Sequence, residues 1–319
     1  MKAFQVTSLE DGPHMADVPR PKPADGEVLV RVRACGLNFA DLLLCKGTYQ
    51  EQPTLPFSLG MEFAGEVVGT GPDVTDLERG ARVAVFAGQG GLAEYAAVPA
   101  IRCTPLPDTM SFEDAAALQV AYGTSHLALD YKARLQHGET LLVLGAAGGV
   151  GLTAVELGKR MGANVIACAR GADKLKVAQA AGADHLIDSK TQDLRATVKA
   201  LGGADVVYDP VGGDLFREAV RATKPDGRIL LVGFASGSLP EIKPNHLLVK
   251  NITVIGFWWG GYLNFAPKIL TDSMATLFEW HSAGGLRPHI SHVLPLEQAA
   301  DGLELLRSRQ STGKVVVTP

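Results

Sequence analysis

The feature that most constrains this chain is the run Leu141-Leu142-Val143-Leu144-Gly145-Ala146-Ala147-Gly148-Gly149-Val150-Gly151-Leu152. Its apolar start predicts a strand buried on both faces, and the glycines that follow predict a tight turn into a helix from Val150 to Met161. Glycines in such a turn let backbone N–H groups approach a pyrophosphate, whose charge the helix N-terminus favours. Ala146 stands at the first position of the G-x-G-x-x-G pattern, so the context has to carry the reading. That context is a strand before, a helix after and a second strand about twenty residues on. Ala147, Gly148, Gly149 and Val150 are therefore the candidate phosphate contacts, with Gly151 allowing close helix–sheet approach. The alternative is a glycine-rich turn that holds no ligand.

The same rhythm continues beyond it. Strands are predicted at Asn164–Cys168, His185–Ile187, Asp205–Tyr208, Arg228–Val232 and Ile252–Phe257, after the first at Thr140–Leu144. Helices are predicted at Asp173–Ala181 and Gln192–Leu201. Wholly apolar strands alternating with helices imply an α/β unit, a doubly wound parallel sheet covered on both faces. The first 110 residues have another texture, with period-two stretches such as Glu27–Ala34 and Arg82–Phe86 broken by Gly and Pro. They read as an irregular β-rich domain. A cap-like Ser111 opens a helix, and beyond Pro267 come helices at Thr271–Ala283 and Leu296–Leu306 and a strand at Lys314–Thr318. These return to complete the first domain.

Composition narrows the partners. The 319 residues carry a net charge of −4, which argues against nucleic acid. The four cysteines are widely spaced with no C-x-x-C, which argues against a zinc knuckle or disulfide scaffold and for a reducing compartment. No apolar run approaches the roughly 18–20 residues of a membrane span, and Met1–Val6 reads as a strand rather than a signal peptide. A soluble cytoplasmic protein is expected.

The second sheet strand ends in Cys168-Ala169-Arg170-Gly171-Ala172-Asp173-Lys174. NAD-preferring folds place an acid there for the ribose 2′-hydroxyl. Arg170 stands at the tip instead, with Lys174 one turn on, and both would attract a 2′-phosphate. The expected cofactor is NADP(H); the alternative is a pair of solvated surface cations.

Several segments together resemble the medium-chain dehydrogenase/reductase superfamily, and within it the zinc-free quinone oxidoreductases of the zeta-crystallin group. They are Ala34-Cys35-Gly36-Leu37-Asn38-Phe39-Ala40-Asp41, Leu59-Gly60-Met61-Glu62-Phe63-Ala64-Gly65, Gly91-Leu92-Ala93-Glu94-Tyr95, the glycine turn, Tyr208-Asp209-Pro210-Val211-Gly212-Gly213 and Thr312-Gly313-Lys314-Val315-Val316. The resemblance implies a GroES-like β-rich catalytic domain (1–121 and 268–319) with an inserted Rossmann domain (122–267). Where zinc relatives carry Cys and His ligands, this chain has Asn38 and Met61, neither of which replaces thiolate or imidazole for zinc. No metal is expected.

A hydride acceptor that needs no Lewis acid is a quinone or another α,β-unsaturated carbonyl. For that chemistry the resemblance implies Asn38, Asp41, Tyr49 and Thr124 as catalytic candidates, with Asn38 and Thr124 also near the nicotinamide. It further implies cofactor contacts from Gly212, Phe234, Phe257, Trp258 and Trp259, and from Lys314 as a tail cation reaching the 2′-phosphate. The Trp pair would suit an aromatic wall for a flat substrate, or else core or interface. Asp188 stands where relatives often carry a phosphate partner, and an acid pointing inward there would oppose a phosphate. Glu62 reads as a buried structural acid. A homodimer through the last Rossmann strand is expected. The competing functions are an enoyl-thioester reductase and a catalytically weak NADPH-binding structural or regulatory protein.

Overall fold

The computed structural model describes residues Met1–Pro319, and the chain divides into a unit of Met1–Val120 with Phe278–Pro319 and a unit of Ala121–Leu277. The first unit begins with β1 (Lys2–Val6), β2 (Pro13–Asp17), β3 (Glu27–Gly36), α1 (Phe39–Cys45), β4 (Phe57–Ser58) and β5 (Glu62–Thr70). It continues through β6 (Arg82–Phe86), β7 (Tyr95–Pro99), β8 (Cys103–Pro105) and α2 (Phe112–His126), the helix within which the chain passes to the second unit. Alternation in β3 buries Val28, Val30 and Val32 and leaves Arg31 and Arg33 in solvent, which is the pattern of a half-buried strand.

The second unit runs β9 (Thr140–Leu144), α3 (Gly149–Arg160), β10 (Asn164–Ala169), α4 (Ala172–Ala180), β11 (His185–Asp188), α5 (Leu194–Ala200) and β12 (Ala204–Asp209). It then runs α6 (Gly213–Ala222), β13 (Thr223–Leu231), α7 (Pro244–Leu248), β14 (Thr253–Gly256), α8 (Tyr262–Phe265) and α9 (Pro267–Ser282). Its six strands are all parallel in the order β11-β10-β9-β12-β13-β14. Leu141, Leu142, Val143 and Leu144 are all fully buried, as a strand covered on both faces requires. The strand order reverses between β9 and β12, and crevices at such switch points are where open parallel sheets bind ligands.

The chain re-enters the first unit inside α9, between Leu277 and Phe278, rather than at 267/268. Pro267 is the first residue of that helix, where a missing N–H costs nothing, so the proline starts an element instead of separating domains. The last elements are β15 (Ile290–Pro295), α10 (Ala299–Arg307) and β16 (Lys314–Thr318). They extend the first unit's larger sheet in the order β15-β16-β3-β5-β6-β8, with β7 pairing β3 at Glu27–Arg31. No helix is long and apolar enough to cross a membrane.

Candidate functional site

In the nucleotide-type unit, the glycine turn is shaped by two close approaches. Gly145 has φ +61°, and a Cβ there would meet Val211 Cγ2 at 2.9 Å, so the turn lies directly beside the loop after β12. A Cβ on Gly151 would lie 2.2 Å from Gly145 O, which only glycine avoids. A Cβ on Gly148, by contrast, would meet nothing closer than Gly145 O at 3.4 Å. Gly148 is the N-cap of α3 and offers no side-chain acceptor, so the first-turn N–H groups at Gly149 and Val150 have no side-chain cap. Ala147 is buried beneath the turn. An anion is what such an end accepts, and the residues fit a dinucleotide pyrophosphate.

The loop after β12 is held by Asp209, which pattern reading passed over. Its Oδ1 accepts from Val211 N at 2.7 Å and Gly212 N at 2.8 Å, while its buried Oδ2 has no hydrogen-bond partner. Burial raises its carboxyl above the usual range, against the lowering effect of those two amides. The Gly212 N–H is therefore already committed to Asp209, and any approach of this loop to a cofactor would use its other backbone groups. Gly212 has φ +70°, and a Cβ there would meet Ser238 O at 3.0 Å and Phe234 Cδ1 at 3.2 Å, so Phe234, itself partly exposed, stands over the loop.

Arg170 is exposed just beyond the tip of β10, and Lys174 is half-buried in α4. In the loop after β14, Trp259 takes the core alternative. That ring is buried against α2, where a Cβ on Gly123 would lie 2.7 Å from Trp259 Nε1, so Trp259 packs rather than forming an aromatic wall. Trp258 lies over Gly261, and Phe257 is buried with its ring 5.8 Å from Tyr262. Thr124 is buried in α2 beside Ser125, whose hydroxyl bonds Val150 O at 2.9 Å and Tyr208 at 3.0 Å. This links α2 to the first turn of α3 and to β12.

The catalytic-type unit gathers Asn38, Asp41, Glu62 and Lys314. Lys314 is only 3% exposed, and its Nζ donates to Glu62 Oε1 at 2.7 Å, Leu37 O at 2.8 Å and Asn38 Oδ1 at 2.8 Å. All three ammonium hydrogens are used, which corrects the expectation of a tail cation reaching a phosphate. Asn38 Nδ2 donates to Glu62 Oε1 at 2.8 Å and to Gly36 O at 3.3 Å. With both ends of its amide engaged, Asn38 has no N–H left to donate to a substrate oxygen.

Glu62 Oε2 accepts from Val120 N at 2.7 Å, completing a charge that is fully buried yet satisfied. Asp41 is the third residue of α1, and its Oδ2 accepts the Asn38 backbone N–H at 2.8 Å. Burial, first of all, pushes the Asp41 carboxyl up to about 6, while the Asn38 amide and Lys314 pull it down. Tyr49 is half-buried against the same core.

The donor set at Asn38 does not fit zinc. The amide oxygen and the Glu62 oxygen already hold an ammonium, Met61 offers only a buried thioether, and no group of three or more His, Cys, Asp or Glu side chains could hold a metal.

Comparison with known proteins agrees with both halves. Residues 24–108 match the family described as "Alcohol dehydrogenase GroES-like domain" and residues 149–277 that described as "Zinc-binding dehydrogenase". The chain is 42% identical over 297 residues to a quinone oxidoreductase-like protein 2 homolog of Nematostella vectensis, covering 91% of this chain and 81% of that protein. Among solved structures, the quinone oxidoreductase of Thermus thermophilus, described also in complex with NADPH, is similar at a TM-score of 0.88 and 35% identity, with 100% of each chain covered. The Escherichia coli quinone oxidoreductase complexed with NADPH is similar at a TM-score of 0.91 and 28% identity, covering 100% of this chain and 99% of that one.

Proposed function

This chain belongs to the zinc-free quinone oxidoreductases of the medium-chain dehydrogenase/reductase superfamily, and from that premise we propose that it reduces a quinone or another α,β-unsaturated carbonyl with NADPH. The observation that carries the reading is the saturated Lys314–Glu62–Asn38 cluster standing where metal-dependent relatives need an open metal site. An acceptor reduced there has to take the hydride without Lewis-acid help, and an electron-poor π-system does so. When bound, NADPH supplies the hydride.

The protein's residues hold and polarise. The uncapped first turn of α3, at Gly148, Gly149 and Val150, takes the pyrophosphate, and Arg170 and Lys174 attract the 2′-phosphate. The Tyr49 hydroxyl donates to the acceptor oxygen as charge builds there. Thr124, on the helix that packs beneath the glycine turn, contributes at the nicotinamide end. Asp41 and Asn38 act through the buried cluster by fixing the start of α1.

The protein works as a homodimer joined at the free edge of β14, in the cytoplasm, where its four unpaired thiols remain reduced. The function is tested by following NADPH oxidation with 9,10-phenanthrenequinone, a benzoquinone and a simple enone. Turnover of the quinones is the expected result, and turnover of an enoyl thioester alone would defeat the reading.

A further inference from the structure

The tip of the second Rossmann strand carries a negative charge as well as positive ones. In the parallel register Ala169 of β10 faces Asp188 of β11, so Asp188 ends its strand beside the residue that precedes Arg170. Its carboxylate is tied to the backbone. Oδ1 accepts from Gly171 N at 3.0 Å and from Lys190 N at 3.0 Å, which anchors the charge on the backbone one residue past Arg170. Those two amides hold the carboxyl below its usual range. Gly171 has φ +87°, and a Cβ built there meets nothing within 4 Å, so the space above the tip is open to a ligand.

Ligands of open parallel sheets sit at the carboxyl ends of the strands, with the adenosine ribose at the end of the second. A ribose 2′-hydroxyl can donate to a carboxylate fixed at that place. A 2′-phosphate meets the same carboxylate as a like charge. We propose that Asp188 is a specificity-determining residue that weakens the preference for a 2′-phosphate, so that this chain accepts NADH beside NADPH. The inference rests on the nicotinamide-cofactor reading above, in which Arg170 and Lys174 provide the opposing attraction.

The test is equilibrium binding, by calorimetry, of 2′,5′-ADP and ADP, with NADPH and NADH as full-length ligands. Asp188→Asn keeps an oxygen able to accept from both Gly171 and Lys190 and removes only the charge, so its melting temperature should stay near that of the wild type. At low ionic strength it should bind 2′,5′-ADP about 5–20-fold more tightly, with ADP unchanged or somewhat weaker, and added salt should shrink the gain. Arg170→Ala should move 2′,5′-ADP in the opposite direction. Equal shifts for the two nucleotides, or none, with NADPH still bound, would overturn the role of Asp188 alone. A wild-type protein that binds neither dinucleotide would overturn the cofactor reading and this inference together.

Discussion

Asp41 and Lys314 are where single residues decide most. Asp41 is fully buried with its carboxyl raised from 3.8 to about 6, so folding favours its protonated form. The stability it contributes is therefore full below the ordinary carboxylate range and is lost as pH rises through about 6, a span worth roughly 3 kcal/mol. Asp41→Asn retains an acceptor for the Asn38 N–H but cannot ionise. Relative to the wild type it should gain stability between about pH 4 and pH 7, read from urea midpoints at the two values.

Lys314→Met should cost about 3–5 kcal/mol, because it leaves the buried Glu62 carboxylate without its counter-charge. Adding Glu62→Gln should recover part of that loss. For catalysis, Tyr49→Phe should slow a weakly activated enone by about 100-fold or more and an ortho-quinone much less. The enone concentrates charge on one oxygen, whereas the quinone spreads it over two carbonyls and a ring. Equal and negligible effects on both acceptors would assign Tyr49 to packing. The cluster's contacts were not legible from pattern, since Lys314 and Glu62 are 252 residues apart and, although Glu62 reads as a buried acid, nothing local names its partner.

At the level of elements, the two glycines of the α3 turn separate folding from binding. Gly151→Ala would force a Cβ to 2.2 Å from the Gly145 carbonyl, and should lower the melting temperature and nucleotide affinity together. Gly148→Ala has room within the protein and a backbone any residue adopts, at φ −81° and ψ 175°. It should leave the melting temperature nearly unchanged and weaken NADPH about tenfold or more, by intruding on the proposed pyrophosphate site. The strands of the parallel sheet were legible because burial on both faces writes an unbroken apolar run, as in β9 and β10. β13 was less so. It begins at Thr223 rather than Arg228, and its pairing with β12 is irregular between Ala204 and Val206, so Lys224-Pro225-Asp226-Gly227 reads locally as a turn. Helix α6 opens on Gly212 and Gly213, residues that announce a loop rather than a helix start.

For the whole molecule, β14 ends the six-stranded sheet, and its Val254 and Ile255 are only partly buried. An apolar edge of this kind is blunted by pairing, so sedimentation at micromolar concentration should find a dimer, and Val254→Lys in β14 should shift it toward monomer. Activity should survive exhaustive chelation, since the place of a metal ligand set is taken by an ammonium.

What the sequence determined by itself is local. The buried strands and the turn beside α3 follow from short-range patterns set by backbone sterics, and the resemblance to zinc relatives adds that Asn38 and Met61 stand where thiolate and imidazole would be needed. Which polar groups meet depends on the assembled fold. It made Lys314, expected to reach a phosphate, the buried partner of Glu62, gave the Gly212 N–H to Asp209, and set Trp259 against Gly123. Burial makes an unpaired polar group costly, so its partners are chosen by whatever the whole fold brings within about 3 Å, and that distance is not written in any stretch of sequence.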